Sequence, residues 1–277
     1  MDYKSTENWV LSRLPSYQAI GKKAYNPGLN NVLKFVSTLN LPVDSLNLIH
    51  VGGTNGKGST SSYISSILQE SNYQVGIFSS PHFFDFRERI KINNQKISKS
   101  FIVDFVNKYK SLIEELELSF FELSFCISLA YFVHNDVDYG VIEVGLGGRL
   151  DATNIINPLI SVITNISYDH TDILGNSLEM IALEKAGIFK KNSTIIIGER
   201  NDSVDEIFIN KANEVSSKIT FVPDYNDQKQ YSSVNYLNTN IKTAIYTCKA
   251  LNIENVDNKS IMLSLIHISE PTRQVQI

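Results

Sequence analysis

A glycine-rich turn between a buried strand and a helix is the feature that most restricts how this chain can fold. Residues 50–60 read HVGGTNGKGST. The segment from Leu46 to Val51 is short and apolar, which is typical of a buried strand, and the segment from Lys57 to Asn72 has the apolar spacing of a helix. Glycines allow backbone N–H groups to approach an anion, and a helix N-terminus adds partial positive charge. The sequence therefore predicts a phosphate-binding loop.

The side chains of this loop fit the same prediction. Lys57 can reach the β- and γ-phosphates of a nucleotide, and the hydroxyl of Ser59 or Thr60 can face a metal ion. A short glycine motif can also be a structural turn, but the lysine and the strand–helix context favour phosphate binding. Gly58 separates the lysine from the hydroxyls, whereas the common motif has Ser or Thr directly after lysine. This difference argues against a switch GTPase.

The rest of the chain alternates short runs rich in Val and Ile with segments of helical period. This alternation predicts an α/β fold with a mostly parallel, P-loop-type sheet and helices on both faces. Ser98 and Ser100 are candidate caps for the predicted helix at residues 101–116. We predict further strands at residues 74–79, 139–144, 159–164 and 194–198, and further helices at 101–116, 121–134 and 177–186.

Length and composition limit the classes of function. The 277 residues suffice for one large domain with an appendage, which we expect at residues 1–252 with a short N-terminal segment. Residues 253–277 form a terminal segment, of which 263–277 lack periodicity and are expected to be non-native. The net charge of −4 and the scattered basic residues argue against nucleic acid as a partner. No signal pattern or membrane-length apolar run is present, so we expect a cytoplasmic protein.

Polar side chains follow several of the predicted strands. Glu143 ends an apolar strand and needs a cation or strong hydrogen bonds, so it is the residue we expect to bind magnesium. Ser80 could add a hydroxyl ligand. Asp169 and His170 follow another strand, and the carboxyl ends of parallel strands share one edge of a sheet. For Arg87 and Arg89, a solvated charged loop is the favoured interpretation, and Cys126 and Cys248 are expected to be reduced core thiols.

Several segments together resemble the folylpolyglutamate synthase/dihydrofolate synthase family of the Mur ligase superfamily. They are GTNGKGS in the loop, SPHFFDFRERI at 80–90, SFFELSF at 119–125, GLGGRLDATN at 145–154, and YDH at 168–170 with EKAGIFK at 184–190. The resemblance covers about residue 15 to about residue 200, and more weakly extends to Asn252. Members of the family continue into a C-terminal domain, which we expect to be absent from these residues.

The resemblance implies roles for individual residues, which no spacing argument supplies. The implied nucleotide-binding residues are Gly53, Thr54, Asn55, Gly56, Lys57, Gly58, Ser59 and, near adenine, Asn240. The implied metal ligands are Ser80, Glu143, His170 and Lys185, with Lys185 carbamylated so that it offers oxygen to a second magnesium ion. The implied catalytic residues are Lys57, His170 and Lys185. The implied dihydropteroate-binding residues are Ser119, Phe120, Phe121, Glu122, Leu150, Asp151 and Ala152.

The resemblance also implies an activity. The expected function is ATP- and Mg²⁺-dependent addition of L-glutamate to dihydropteroate, to a reduced folate such as tetrahydrofolate, or to both, through an acyl phosphate, by a monomer. One alternative is a Mur-type ligase acting on cell-wall precursors, which the segments at 80–90 and 145–154 oppose. Another is a nucleotide-binding fragment without catalytic activity.

An unmodified Lys185 could instead form a salt bridge near Glu184 or face solvent.

Overall fold

A computed structural model describes residues 1–14, 28–223, 231, 234–253, 256 and 260–264. Its centre is one eight-stranded sheet in the order β4-β3-β2-β5-β1-β6-β7-β8. β3 pairs antiparallel with both β2 and β4, and the six strands from β2 to β8 in this order pair in parallel. The strands are β1 Leu48–Gly52, β2 Val75–Phe78, β3 Ile90–Ile92, β4 Gln95–Lys96, β5 Tyr139–Glu143, β6 Ile160–Ile163, β7 Thr194–Ile197 and β8 Lys218–Phe221. The predicted fold class is confirmed.

Helices cover both faces of the sheet. They are α1 Tyr3–Arg13, α2 Asn30–Leu39, α3 Lys57–Glu70, α4 Lys99–Glu115, α5 Phe120–His134, α6 Thr171–Leu174, α7 Leu178–Ala186, α8 Asp205–Glu214 and α9 Asn235–Ala250. Of the two candidate caps for α4, Ser98 is the one at the N-cap, where its side chain accepts a hydrogen bond from the N–H of Phe101. Ser100 lies inside the first turn.

Two differences from the sequence prediction have local causes. The first strand begins at Leu48 and not at Leu46, because residues Val43–Ser45 form a 3-10 turn directly before it. The polar stretch after β2 contains the hairpin β3–β4, which was not predicted because its strands are only three and two residues long. The proposed domain boundary at residue 252 stays a prediction, and residues 265–277 of the suspected non-native tail lie outside the described residues.

Among the residues that the structure describes, three apolar clusters hold the layers together. One face of the sheet carries a cluster with α2, α4 and α5 beside β2 and β5, and a second with α7 and α8 beside β6 and β7. The opposite face is covered by α3, which packs on β1, β2 and β5, and by α9, which packs on β6 and β7. Cys126 and Cys248 are both buried and free, as predicted. None of the helices in the described ranges is long and apolar enough to cross a bilayer.

Two glycines paired across neighbouring strands make room for an aromatic ring. Gly76 of β2 is the register partner of Gly140 of β5, and the ring of Phe132 lies over both. A Cβ atom on Gly76 would lie 2.6 Å from that ring. A helix packed this closely on a sheet tolerates little added volume.

We therefore expect Gly76→Ala to lower the free energy of unfolding by about 1–3 kcal/mol, as overpacking of a core does. Urea unfolding of wild type and variant measures this difference in free energy. In a Phe132→Leu background the same substitution should cost clearly less, because the shorter side chain frees the space. An equal cost in both backgrounds would contradict the packing explanation.

Candidate active site

The carboxyl ends of four neighbouring parallel strands meet at one edge of the sheet. The strands β2, β5, β1 and β6 lie side by side in that order. The glycine-rich loop follows β1, Ser79 and Ser80 follow β2, Glu143 ends β5, and Thr164 and Asn165 follow β6. Open parallel sheets bind ligands at this edge.

At two positions, the loop has a backbone conformation that only glycine adopts easily. Gly53 has a φ of +136° and Gly56 has a φ of +79°. A Cβ atom on Gly53 would collide with the Thr164 side chain, and one on Gly56 would collide with the Asn240 amide. These glycines therefore bring the backbone against its neighbours and leave the opposite side of the loop open to an anion.

Hydrogen bonds tie the loop to the residues after β6. The N–H of Thr54 donates to the backbone oxygen of Asn165 at 3.0 Å, and the N–H of Asn55 donates to its Oδ1 at 2.9 Å. The hydroxyl of Thr164 donates to the backbone oxygen of Asn55 at 2.6 Å. Asn165 is thus a structural residue of the site that the sequence did not reveal, because its partners lie more than a hundred residues away.

Two lysines converge on one carbonyl of the loop. Lys57 Nζ donates to the backbone oxygens of Gly53 at 3.1 Å and Thr54 at 3.0 Å, and Lys185 Nζ donates to the Gly53 oxygen at 2.8 Å. Burial, and then the positive charge of Lys57, lower the pKa of Lys185 to about 8. For an unmodified Lys185, a salt bridge near Glu184 and exposure to solvent were the alternatives. Both are wrong, since the Lys185 side chain is buried and Glu184 is paired with Arg149.

A cavity of about 340 Å³ lies between the loop and the segment after β2. Ser59, Ser80 and Glu143 line it, and Glu143 Oε2 accepts a hydrogen bond from the Ser80 N–H at 3.0 Å. Thr60 is fully buried, and its hydroxyl has no hydrogen-bond partner among the described residues, so Ser59 is the hydroxyl that faces the cavity. Hydroxyl and carboxylate oxygens are the ligands that Mg²⁺ prefers.

The other two predicted metal ligands do not line this cavity. His170 has a φ of +45°, its side chain is 37% exposed, and its imidazole lies 3.6 Å from the carboxylate of Asp169. Within the described part of the chain, no three His, Cys, Asp or Glu side chains form a group that could hold a metal ion. The metal roles of His170 and Lys185 stay predictions.

Arg89 is buried, which corrects the prediction of a solvated loop. Its side chain is only 4% exposed. Its Nε donates to His82 Nδ1 at 2.8 Å, and its guanidinium lies 4.9 Å from the centroid of the Phe120 ring. Burial lowers the pKa of Arg89 to about 10, while the negative charge of Glu143 opposes this shift. Arg87, by contrast, is partly exposed and paired with Asp85 at 2.7 Å.

A second cavity, of about 280 Å³, adjoins the loop on the side of α9. Gly56 lines both cavities, so they meet at the loop. Asn240, which the resemblance placed near adenine, lines this second cavity together with the exposed ring of Tyr236 and the carboxylate of Glu199. The pair of cavities fits a ligand with a flat heterocycle at one end and an anionic chain at the other.

The predicted dihydropteroate-binding residues at the start of α5 have structural partners. Ser119 Oγ accepts from the N–H of Glu122 at 3.2 Å, and Glu122 Oε2 accepts from the N–H of Ser119 at 2.8 Å, which is a capping box. Phe120 is buried beneath Arg89. Phe121 is partly exposed and packs against Phe78 and Gly145, so it is the residue of this group that offers a ring surface.

The segment after β5 provides the other predicted pocket residues. Leu150 is partly exposed and Ala152 is buried. Asp151 is buried, and its carboxylate accepts hydrogen bonds from the N–H of Leu146 at 2.8 Å and from the N–H and hydroxyl of Thr153. Burial raises the pKa of Asp151, and these hydrogen bonds oppose that rise.

His50 is a polar residue near this segment that sequence reasoning did not single out. It lies in the middle of β1, is fully buried, and its Nε2 is 2.8 Å from Thr153 Oγ1. Burial lowers the pKa of His50 to about 3 from its ordinary value of 6.5. Its place inside an otherwise apolar strand that is buried at every position could have drawn attention to this histidine.

This chain is similar in sequence and in fold to several known proteins. The Mur ligase middle domain family matches residues 51–264. The dihydrofolate synthase/folylpolyglutamate synthase of Bacillus subtilis is 40% identical over 201 residues, 70% of this chain and 45% of that protein. Folylpolyglutamate synthase from Thermotoga maritima superposes with a TM-score of 0.81 at 29% identity, covering 95% of this chain and 65% of that one. A bifunctional folylpolyglutamate synthase/dihydrofolate synthase with Mn, AMPPNP and L-glutamate bound has a TM-score of 0.75 at 28% identity, covering 87% and 62%. The chain spans less than half the length of the Bacillus subtilis protein and of the dihydrofolate synthase/folylpolyglutamate synthases of Haemophilus influenzae and Buchnera aphidicola.

The low pKa of His50 makes stability depend on pH. Between pH 3 and 6.5 the unfolded chain binds a proton at His50 that the folded chain does not, so acidification favours unfolding. We expect wild type, relative to His50→Gln, to lose about 1 kcal/mol of unfolding free energy between pH 7.5 and 5.5. Urea unfolding of both proteins at both pH values measures this, and a difference that stays constant would show that folding does not exclude the proton.

Proposed function

Because this chain belongs to the Mur ligase middle-domain family, we propose that it is the nucleotide-binding part of an ATP-dependent ligase that joins L-glutamate to dihydropteroate or to a reduced folate. The observation that carries the proposal is the pair of cavities that meet at Gly56, one beside Asn240 and one beside Ser80 and Glu143. The names of the relatives support the folate substrate and the glutamate. Since the chain spans 45% of the first of them, the activity of the whole protein belongs to this proposal.

The chain's own groups suit a triphosphate. The loop presents backbone N–H groups at the N-terminus of α3, where the helix dipole favours negative charge. Lys57 is bound to the oxygens of Gly53 and Thr54, so it exchanges these two hydrogen bonds for phosphate oxygens when the nucleotide binds. We assign the base of the nucleotide to the second cavity, where the Asn240 amide would hydrogen-bond to it and the Tyr236 ring would stack on it.

The residues around the first cavity fit a divalent metal ion bound to the phosphates. Ser59, Ser80 and Glu143 offer oxygen atoms on the wall of one cavity, which matches the chemistry of Mg²⁺. When bound, such an ion neutralises charge on the phosphate oxygens during transfer. We propose further that His170 and a carbamylated Lys185 complete the metal-binding set, and that Lys57, His170 and Lys185 are the catalytic residues.

The proposed reaction needs no nucleophile from the protein. A carboxylate oxygen of the pteroate or folate attacks the γ-phosphorus of ATP, the bond from that phosphorus to the bridging oxygen breaks, and ADP leaves. The amine of glutamate then attacks the carbonyl carbon of the acyl phosphate, loses a proton, and expels inorganic phosphate. The protein's contribution is to position the reactants and to stabilise charge on the phosphoryl group.

We assign the pterin ring to the start of α5 and the segment after β5, where the ring of Phe121 lies against Gly145. Phe121 offers a partly exposed ring, Leu150 is also partly exposed, and Ala152 is buried. Asp151 holds the loop at Leu146 in place beside them. A flat heterocycle is recognised by such a combination of an aromatic face and a few fixed polar groups.

The test is an assay of the purified protein with ATP, Mg²⁺, L-glutamate and dihydropteroate. Formation of dihydrofolate together with ADP supports the proposal. Amino-acid addition to a muramyl precursor would point to a cell-wall ligase, and nucleotide binding with neither product would point to a fragment without catalysis. Calorimetry that detected no uptake of Mg-ATP by folded protein would refute all three.

We expect Lys57→Ala and Glu143→Gln each to lower the rate of ligation by at least about 100-fold, the scale on which groups that stabilise transition-state charge act. The reason is that Lys57 neutralises phosphate charge and Glu143 supplies an anionic metal ligand. Glu184→Gln is the matched control, since Glu184 forms a partly exposed ion pair with Arg149. A Glu143→Gln variant as active as the control would rule out the assigned role.

A further inference from the structure

A chain of buried hydrogen bonds connects the central strand to the wall of the proposed pterin pocket. It begins at His50, whose register partners are Ile142 on β5 and Ser161 on β6. His50 is 0% exposed. It contacts Thr153, and Thr153 contacts Asp151. Burying a polar side chain in a sheet costs free energy unless its hydrogen bonds are made, so this arrangement needs an explanation.

The direction of the hydrogen bonds follows from chemistry. A carboxylate only accepts hydrogen bonds, so the Thr153 hydroxyl donates to Asp151 Oδ1. The hydroxyl oxygen is then left to accept, and the donor must be His50 Nε2–H. His50 therefore carries a proton on Nε2, and its Nδ1 has no hydrogen-bond partner in the part of the chain that the structure describes.

The other end of this chain sets the backbone after β5. Asp151 Oδ2 accepts from the N–H of Leu146, and Asp151 Oδ1 accepts from the N–H of Thr153. Asp151 is also the N-cap of the 3-10 turn Ala152–Ile155. One carboxylate therefore fixes both ends of the segment 146–153, which includes Leu150 and Ala152. The Thr153 hydroxyl contacts this carboxylate on one side and His50 on the other.

We propose that His50 and Thr153 are positioning residues for the heterocyclic substrate: through Asp151 they hold the segment 146–153 in the shape that binds it. The inference rests on the proposed function, because it takes that segment as a wall of the pterin pocket. Neither side chain needs to touch the substrate. Supporting residues of this kind orient the groups that do.

The simpler explanation is that the three side chains only provide hydrogen-bond partners for one another. A network kept for stability alone could be replaced by apolar residues of similar shape at little cost. Substrate affinity distinguishes the two explanations, because a network that only adds stability would leave the affinity of the folded protein unchanged.

The test uses Thr153→Val, which keeps the shape of the side chain and removes its hydroxyl, and Thr153→Ser as the matched control that keeps the hydroxyl. The equilibrium dissociation constants for dihydropteroate, with a nonhydrolysable ATP analogue and Mg²⁺ present, and for the analogue alone are measured by calorimetry on the whole chain. We expect Thr153→Val to weaken dihydropteroate binding about tenfold, the effect of about 1.4 kcal/mol. Nucleotide binding should be unchanged in both variants.

A double-mutant cycle then tests the link to His50. His50→Leu removes the donor, whereas His50→Gln keeps an N–H that can reach Thr153. We expect His50→Leu to weaken dihydropteroate binding in wild type and to have a much smaller effect in the Thr153→Val background, with His50→Gln close to wild type. If His50→Leu does not fold, the comparison of Thr153→Val with Thr153→Ser alone decides the proposal.

The outcomes separate the inference from the proposed function. Unchanged dihydropteroate affinity in folded Thr153→Val would overturn the inference and leave the function intact. An equal loss of nucleotide affinity would also overturn it, because the effect would then be general. A wild-type protein that binds Mg-nucleotide but neither dihydropteroate nor tetrahydrofolate would overturn both.

Discussion

The anchoring of the glycine-rich loop on the residues after β6 is the constraint on which the rest of the site depends. Thr164 and Asn165 hold the backbone of Thr54 and Asn55, so that the loop cannot relax toward the sheet. Because the loop is fixed on this side, its other side stays open between two cavities that meet at Gly56. A flexible loop would have to be ordered by the ligand, at a cost of about 1–2 kcal/mol for each residue whose backbone is fixed.

The charges of the site are arranged around this fixed loop. Lys57 and Lys185 both reach the oxygen of Gly53, and the proximity of two positive groups contributes to the lowered pKa of Lys185. On the other side of the loop, Glu143 is held by the N–H of Ser80 and lies in the field of buried Arg89. A bound polyphosphate with its metal ion would relieve the repulsion between the lysines and would use the carboxylate. The arrangement thus favours an anionic ligand before any specific contact is made.

Much of this could be predicted from the sequence, and the reason is that the informative signals are local. The loop, the helix Lys57–Glu70 and the strand that ends at Glu143 each lie in one short segment whose period and residue types are diagnostic. The burial of Arg89 and the roles of Asn165 and His50 could not be predicted. They depend on partners that the fold brings together from distant parts of the chain, as when Asn165 accepts from Asn55. The hairpin β3–β4 was not predicted for a different reason, since strands of two and three residues are too short to show a periodic pattern.

The position of His50 explains how one face of the sheet can both pack apolar clusters and fix neighbouring segments by hydrogen bonds. That face carries two separate apolar clusters, one with α5 and one with α7, and the polar side chains of His50, Thr153 and Ser161 are buried on it among them. Ser161 Oγ donates to the backbone oxygen of Ile188 after α7, while the neighbouring His50 contacts Thr153 in the segment after β5. Apolar contacts alone are tolerant of small shifts, whereas hydrogen bonds fix distance and direction. Polar residues at this place therefore fix segments on both sides of the central strand relative to the sheet, and the residues after β5 keep their position although they belong to no helix or strand of more than four residues.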